Sequence, residues 1–435
     1  MLRRREMSFL EEIEWRGLLH QATAKQELRE HLATPNRLAY AGFDPTADSL
    51  TVGHLIPIML LKHFQRAGHK PVVLIGGGTG LIGDPSGKDS ERTLQTSEQA
   101  EANVAGQRRV LERFLDFSSS QQNGALLVNN LDWLKDLGYL EVLRTIGKHF
   151  SVNAMIQRDS VRTRLESREQ GISYTEFSYM LLQAYDFLHL HRTLGVTLQM
   201  AGSDQYGNIV GGVDLIRREA HGAGHEAFGL TAPLLLRADG KKFGKSEKGA
   251  VWLSADRTSP YAFYQFWINV DDADVAAYLK LFTFRSQDEL SALIAAHEKE
   301  PHKREAQRTL ARDMTELVHG GEQLRAAERA AEALFAGDVR AIEAQLFDDV
   351  LGDVPHSDHD KSSLAGEGLA LLELLPLTSL VASKREARQF LESGAVSVNG
   401  EKAGLLTKLT ESDLVHGKAI LLKRGKKNWH HTRWS

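Results

Sequence analysis

Residues 37–77 constrain the fold more than any other stretch. "RLAYAGFD" (37–44) has the apolar run of a short strand, "VGHLIPIMLLKHFQRAG" (52–68) has helical periodicity ending at a glycine, and "KPVVLIGG" (70–77) reads as a buried strand. Strand, helix and strand in that order make a parallel βαβ unit. Further candidate strands are "ALLVNN" (125–130), "VTLQMAG" (196–202) and "LTAPLLLRA" (230–238), with helical patterns between them. The expected fold class is therefore α/β, a doubly wound parallel sheet of Rossmann type over residues 1–250. Ligands of such a sheet bind outside the carboxyl ends of its strands.

Beyond residue 250 the pattern turns helical, with Ala, Glu and Leu dominant, so a separate α-helical domain is expected over 251–350. "GDVPHSDHDKSS" (352–363) is polar and acidic with little to bury, and reads as a linker within 351–366. A small α+β domain should follow over 367–435. There Ser383 and Glu386 form a capping box, Gly394 stops a helix, and Asn399-Gly400 makes a hairpin turn. The absence of cysteine excludes disulfides, thiol catalysis and thiolate metal sites. No apolar run reaches the roughly eighteen residues of a membrane span, and "MLRRREMSFLEE" leads into no apolar h-region; a cytoplasmic, membrane-free chain without a secretion signal is expected. The net charge of −4 gives no global sign of nucleic-acid binding, which leaves local patches to carry any RNA contact.

Three segments have the composition of phosphate sites. In "TADSLTVGHL" (46–55), Thr46, Asp48, Ser49 and Thr51 are capping residues, and Gly53-His54 falls at the first turn of the helix. A helix N-terminus at a strand's carboxyl end offers free N–H groups and a positive dipole to a triphosphate, and a glycine lets a base or ribose approach the backbone. The plainer alternative is a capped turn with a buried histidine. "GGGTGLIGDPSGKDSER" (76–92) follows a strand but fails the Walker spacing, since Lys88 precedes Asp89. It is either a flexible turn or a loop whose Lys88 and Arg92 reach phosphates. "RADGKKFGKSEKGAVWL" (237–253) places Lys242, Lys245 and Ser246 on a loop after a strand. Lysines commonly mark solvated surface, yet a basic loop also suits the charge that develops on a leaving pyrophosphate. Tyr179, Gln183 and Asp186 lie four and three residues apart and share one helical face among apolar neighbours. The eighteen histidines form no clear metal-ligand set.

Together these segments resemble a known family. "TVGH" and "KFGKS" are similar to the HIGH and KMSKS motifs of class I aminoacyl-tRNA synthetases, and "YAGFDPTADSL", "GLIGDPSGK", "YTEFSYMLLQAYDF", "GSDQYGN" and "KKFGKS" resemble the bacterial-type tyrosyl-tRNA synthetases. The resemblance covers essentially the whole chain. It implies formation of tyrosyl-adenylate from tyrosine and ATP, then transfer of the tyrosyl group to the terminal adenosine of tRNA(Tyr). It further implies that Tyr40 and Asp186 bind the phenolic hydroxyl. A site that reads a hydroxyl rejects the analogue lacking it because its own polar groups are left unpaired, and tyrosine-activating enzymes are the established example of this. Asp84, Tyr179 and Gln183 would hold the ammonium group, with Gln205 near the carboxylate. Asp44, Thr46, Gly53, His54, Gly202 and Asp204 match nucleotide positions. Thr51, Lys88, Arg92, Lys242, Lys245 and Ser246 match positions on the pyrophosphate.

The resemblance also implies Mg²⁺ arriving with ATP, no tightly bound cofactor, and a homodimer with residues 147–165 near its interface. A tryptophan-specific enzyme and a catalytically weakened, RNA-binding paralogue are the rival readings. Two positions depart from the family pattern: Thr51 replaces the first histidine of HIGH, and Ala41 replaces a common cysteine. Thr51 should then stabilise the pyrophosphate less than histidine would. At the C-terminus, "GKAILLKRGKKNWHHTRW" (417–434) carries Lys423, Arg424, Lys426 and Lys427 with Trp429 and Trp434 and no acidic residue. With Lys384, Arg385 and Arg388 of "ASKREARQFLESGAVSVNG", it resembles a small αL RNA-binding module. A solvated basic tail is the alternative.

Overall fold

The structure is a computed structural model that describes residues 7–84, 96–158, 161–162, 165–166, 171–220, 226–240, 243–246, 249–336, 338–352, 354–425 and 428–435. The chain divides into two compact units, Met1–Arg257 with Trp267–Val318, and Thr258–Phe266 with His319–Ser435. The helices over 267–318 fall in the first unit, and residues 319–350 fall in the second.

The first unit is built on a six-stranded sheet. Its strands are β1 (Gln21–Ala22), β2 (Leu38–Phe43), β3 (Lys70–Ile75), β4 (Leu126–Asn129), β5 (Val196–Gly202) and β6 (Phe228–Ala232), in the spatial order β1-β6-β5-β2-β3-β4. All neighbours pair in parallel except the edge strand β1, which runs antiparallel to β6. The order reverses on either side of β2, which makes its carboxyl end the switch point where ligands of such sheets bind. The expected strand over 230–238 is shifted: β6 ends at Ala232, because Pro233 has no N–H to continue the ladder.

Four helices bear on the site. They are α1 (Leu55–Arg66), α2 (Ser97–Leu111), α3 (Tyr174–Leu194) and α4 (Tyr206–Glu219). Helix α1 starts from a 3-10 turn at Val52–His54 and buries Leu55, Ile58, Met59, Leu61 and Phe64. Helix α3 is capped by Ser173, whose hydroxyl accepts from Glu176 N–H, and it ends at Gly195. Its Ala184, Phe187 and Leu188 join Tyr40, Val72 and Leu74 of the sheet in one buried cluster.

In the second unit a five-stranded sheet is made of β7 (His356–His359), β8 (Val396–Val398), β9 (Glu401–Lys402), β10 (Ala419–Arg424) and β11 (Asn428–Trp434), in the order β9-β8-β10-β11-β7. The hairpin at Asn399-Gly400 forms as expected, with φ of 48° and 92°. Ser383 caps helix α5 (Lys384–Glu392), but the Glu386 carboxylate accepts from Ala382 N–H, one residue before the partner a capping box uses. The expected linker is corrected. His356–His359 pairs in parallel with β11, and its backbone is consumed by the sheet although its side chains give no apolar signal.

Candidate active site

Tyr40 stands on β2 and is fully buried, its ring 5.4 Å from Phe187. Its hydroxyl is buried with no hydrogen-bond partner among the described residues. Asp186, on α3, is also buried, and its carboxylate accepts from Asn130 Nδ2 at 2.9 Å and from Trp133 Nε1 at 2.8 Å. Burial raises the Asp186 pKa to about 7, which the two donated hydrogen bonds oppose and the charge of Asp44 reinforces. Burial, then Asp186, push the Tyr40 phenol well above its ordinary value. A hydroxyl without a partner beside a dry carboxylate is an incomplete polar pair, and such groups cost stability unless a ligand completes them.

A chain of hydrogen bonds leads away from Asp186. Asn130 Nδ2 also donates to Thr79 Oγ1 at 2.9 Å, and Thr79 donates to Asp44 Oδ1 at 3.1 Å. The Tyr179 hydroxyl donates to the other oxygen of Asp44 at 3.3 Å. Beside this chain, Gln205 Nε2 donates to Asp84 at 2.8 Å and to Asp204 at 3.2 Å. Gln183 Nε2 donates to Gln205 Oε1 at 3.2 Å, and Asn208 Nδ2 donates to Gln183 Oε1 at 3.0 Å. The structure thus gathers Tyr40, Asp44, Asp84, Tyr179, Gln183, Asp186, Asp204 and Gln205 at the carboxyl ends of β2 and β5. Desolvation raises the Asp204 pKa, offset by the Gln205 hydrogen bond, with Asp84 adding to the rise. A Cβ at Gly202 would lie 2.7 Å from an Asp204 oxygen.

Thr79, Asn130, Trp133 and Asn208 also join these networks, although no motif in the sequence assigns them a role. Two of them carried a signal: Asn130 and Trp133 follow an apolar strand at its carboxyl end, where ligand-facing groups of this fold concentrate.

The "TVGH" and "KFGKS" segments meet directly. Val52 N–H donates to Val251 O at 2.9 Å, Leu253 N–H donates to Leu50 O at 2.8 Å, and Thr51 and Trp252 form an antiparallel bridge. Gly244, at φ 87°, packs its backbone onto Val52 and Gly53, leaving no room for a side chain. Thr46 is exposed. The Thr51 hydroxyl and N–H converge on Nδ1 of His54, at 3.0 and 3.1 Å. Lys245–Ser246 pairs with Gly249–Ala250, while the side chains of Lys245 and Ser246, and Lys88, Arg92 and Lys242 entirely, lie outside the described residues.

The family described as tRNA synthetases class I (W and Y) matches residues 34–336. A second family, the tyrosine–tRNA ligase SYY-like C-terminal domain, matches 347–432. The chain belongs to the tyrosine–tRNA ligase family of class I synthetases. It is 49% identical to the tyrosine–tRNA ligase of Geobacillus stearothermophilus over 99% of its own length and all of that protein. Among solved structures it is similar to the C-terminally truncated mitochondrial tyrosyl-tRNA synthetases of Aspergillus nidulans and Coccidioides posadasii. The first has a TM-score of 0.68 at 32% identity, covering 77% of this chain and 95% of that one; the second has 0.65 at 35%, covering 74% and 92%.

Within the domain matched at the C-terminus, the expected RNA-binding residues divide. Arg385 and Arg388 are exposed on α5. Lys384 pairs with Glu373, and Arg424 pairs with Glu386 at 3.1 Å while its guanidinium lies 4.8 Å from the Phe390 ring. Lys423 sits 4.1 Å over Trp429. Trp434 of the basic C-terminal stretch is a core residue and not part of an exposed patch: it is 5% exposed, and its indole N–H donates to Thr432 at 2.8 Å. Lys426 and Lys427 lie outside the described residues.

Proposed function

We propose that this site activates tyrosine with ATP and then esterifies the terminal adenosine of tRNA(Tyr). The observation that carries the substrate assignment is the buried pair of Tyr40 and Asp186: the phenol of the substrate donates to the Asp186 carboxylate and accepts from the Tyr40 hydroxyl, completing both. Asp84, Tyr179 and Gln183 take the ammonium group, and Gln205 lies toward the carboxylate. That carboxylate attacks the α-phosphate of ATP in line, forming the P–O bond of the adenylate as the bond to pyrophosphate breaks. No protein nucleophile is needed, so the work is positioning and electrostatic. Asp44, Gly53, His54, Gly202 and Asp204 hold the nucleotide, and Thr46, Thr51, Lys88, Arg92, Lys242, Lys245 and Ser246 face its outer phosphates. Mg²⁺ enters on those phosphates as part of the substrate.

A homodimer in the cytoplasm completes the reading. Leu140 and Leu143 are 79% and 42% exposed, and Tyr139, Val152 and Ile156 are exposed near them in sequence, an apolar surface of the kind a second copy covers. No described helix is long and apolar enough to cross a membrane. Tyrosine-dependent ATP–pyrophosphate exchange, run beside phenylalanine and tryptophan, tests the assignment. Exchange with tyrosine alone is expected; exchange with none leaves a protein that only binds RNA.

A further inference from the structure

Thr46 is exposed, and the backbone of the turn that carries it, residues 44–48, is held from outside. Within the turn, Thr46 N–H closes on Asp44 O at 2.8 Å. The carbonyls around it are taken by helix α2. Gln107 Nε2 spends both hydrogens there, on Asp44 O at 3.1 Å and Ala47 O at 3.2 Å, and Asn103 Nδ2 donates to Pro45 O at 2.8 Å. Both amides are almost fully buried, at 1% and 2% exposure, and Gln99 Nε2 orients Asn103 by donating to its Oδ1 at 3.0 Å. Gly106 lets the helix come this close: a Cβ there would lie 1.9 Å from Asp48 O.

Gln107 also keeps a cost. Its Oε1 is buried without a partner among the described residues. An apolar side chain would fill the same space without an unsatisfied acceptor, so the amide is a poor choice for packing alone. Its return is control of two carbonyls that bracket Thr46. We propose that Asn103 and Gln107 are positioning residues for the nucleotide side of the reaction: from α2 they fix the carbonyls of Asp44, Pro45 and Ala47 and so aim the Thr46 hydroxyl. This rests on the placement of ATP given above.

The test is a double-mutant cycle on the full-length protein, reading pre-steady-state adenylate formation against ATP concentration and tyrosine affinity by fluorescence. Gln107→Met should slow adenylate formation about tenfold, as expected of sub-ångström misplacement at a reacting centre, with tyrosine affinity unchanged. In the Thr46→Ala background the same substitution should cost less than about twofold, because the group it aims is gone. Asn103→Ala, read the same way, serves if Gln107→Met does not yield soluble protein. Equal costs in both backgrounds, no cost in either, or an equal loss of tyrosine affinity overturns the positioning role. If Thr46→Ala alone has no effect, the nucleotide placement has failed instead, and the proposal falls with it.

Discussion

The N–H and hydroxyl of Thr51 both point at Nδ1 of His54, at 3.1 and 3.0 Å. An N–H can only donate, so Nδ1 accepts and the Thr51 hydroxyl is used within the turn. Thr51→Val therefore loses one neutral hydrogen bond, worth about 1 kcal/mol, and should slow adenylate formation by no more than about fivefold. Thr51→His supplies a longer donor and should accelerate the same step. Stopped-flow measurement of adenylate formation checks both, and an unchanged or slower Thr51→His enzyme would count against the phosphate-side placement of residue 51.

Asp186 carries a pH dependence of known sign. Its pKa in the folded chain is raised to about 7, so the folded state retains a proton that the unfolded chain has released, and the stability this contributes is lost as pH rises through 7. A substrate phenol donating to the carboxylate favours the ionised form and lowers that pKa. Tyrosine binding should then release a proton near pH 6.5, and affinity should climb with pH before levelling above about 7. Calorimetry in buffers of different ionisation enthalpy reads the proton directly; a release that persists in Asp186→Asn would assign it to another group.

In the second unit, Ser379 N–H donates to Nδ1 of His430 at 3.2 Å, and Ser357 Oγ lies 2.9 Å from Nε2 and 2.7 Å from His359 Nε2. Burial, then the neighbouring His431, His359 and His356, lower the His430 pKa to about 4. The unfolded chain takes up protons first, so stability is whole above about pH 6.5 and declines as pH falls toward 4. The loss should be on the order of 2 kcal/mol. Urea unfolding at pH 7 and pH 5 measures it, and His430→Gln should flatten much of the difference.

Lys384, Arg385 and Arg388 are all exposed on α5; Lys384 pairs with Glu373, and Arg424 of β10 pairs with Glu386. Arg385→Ala with Arg388→Ala should raise the KM for tRNA about tenfold and shallow its salt dependence, leaving pyrophosphate exchange intact. A matching effect from Lys384→Ala alone would show that its pairing does not hold it from RNA.

Periodicity, glycine placement and motif spacing determined much of this protein by themselves: the βαβ core, the strand at 196–202, the hairpin at Asn399-Gly400, the shared helical face of Tyr179, Gln183 and Asp186, and the family. Those features are local, or lie in contiguous motifs, so a few neighbouring residues suffice to write them. Tertiary structure alone decided the rest. Asn130 and Trp133 became partners of Asp186 across more than fifty residues, and Gln107 reached the turn that carries Thr46. His356–His359 became a strand because its backbone, which no side-chain pattern reports, found an open edge on β11. A hydrogen bond between distant side chains needs only one donor and one acceptor brought together by the sheet, and no spacing along the chain announces which pair that will be.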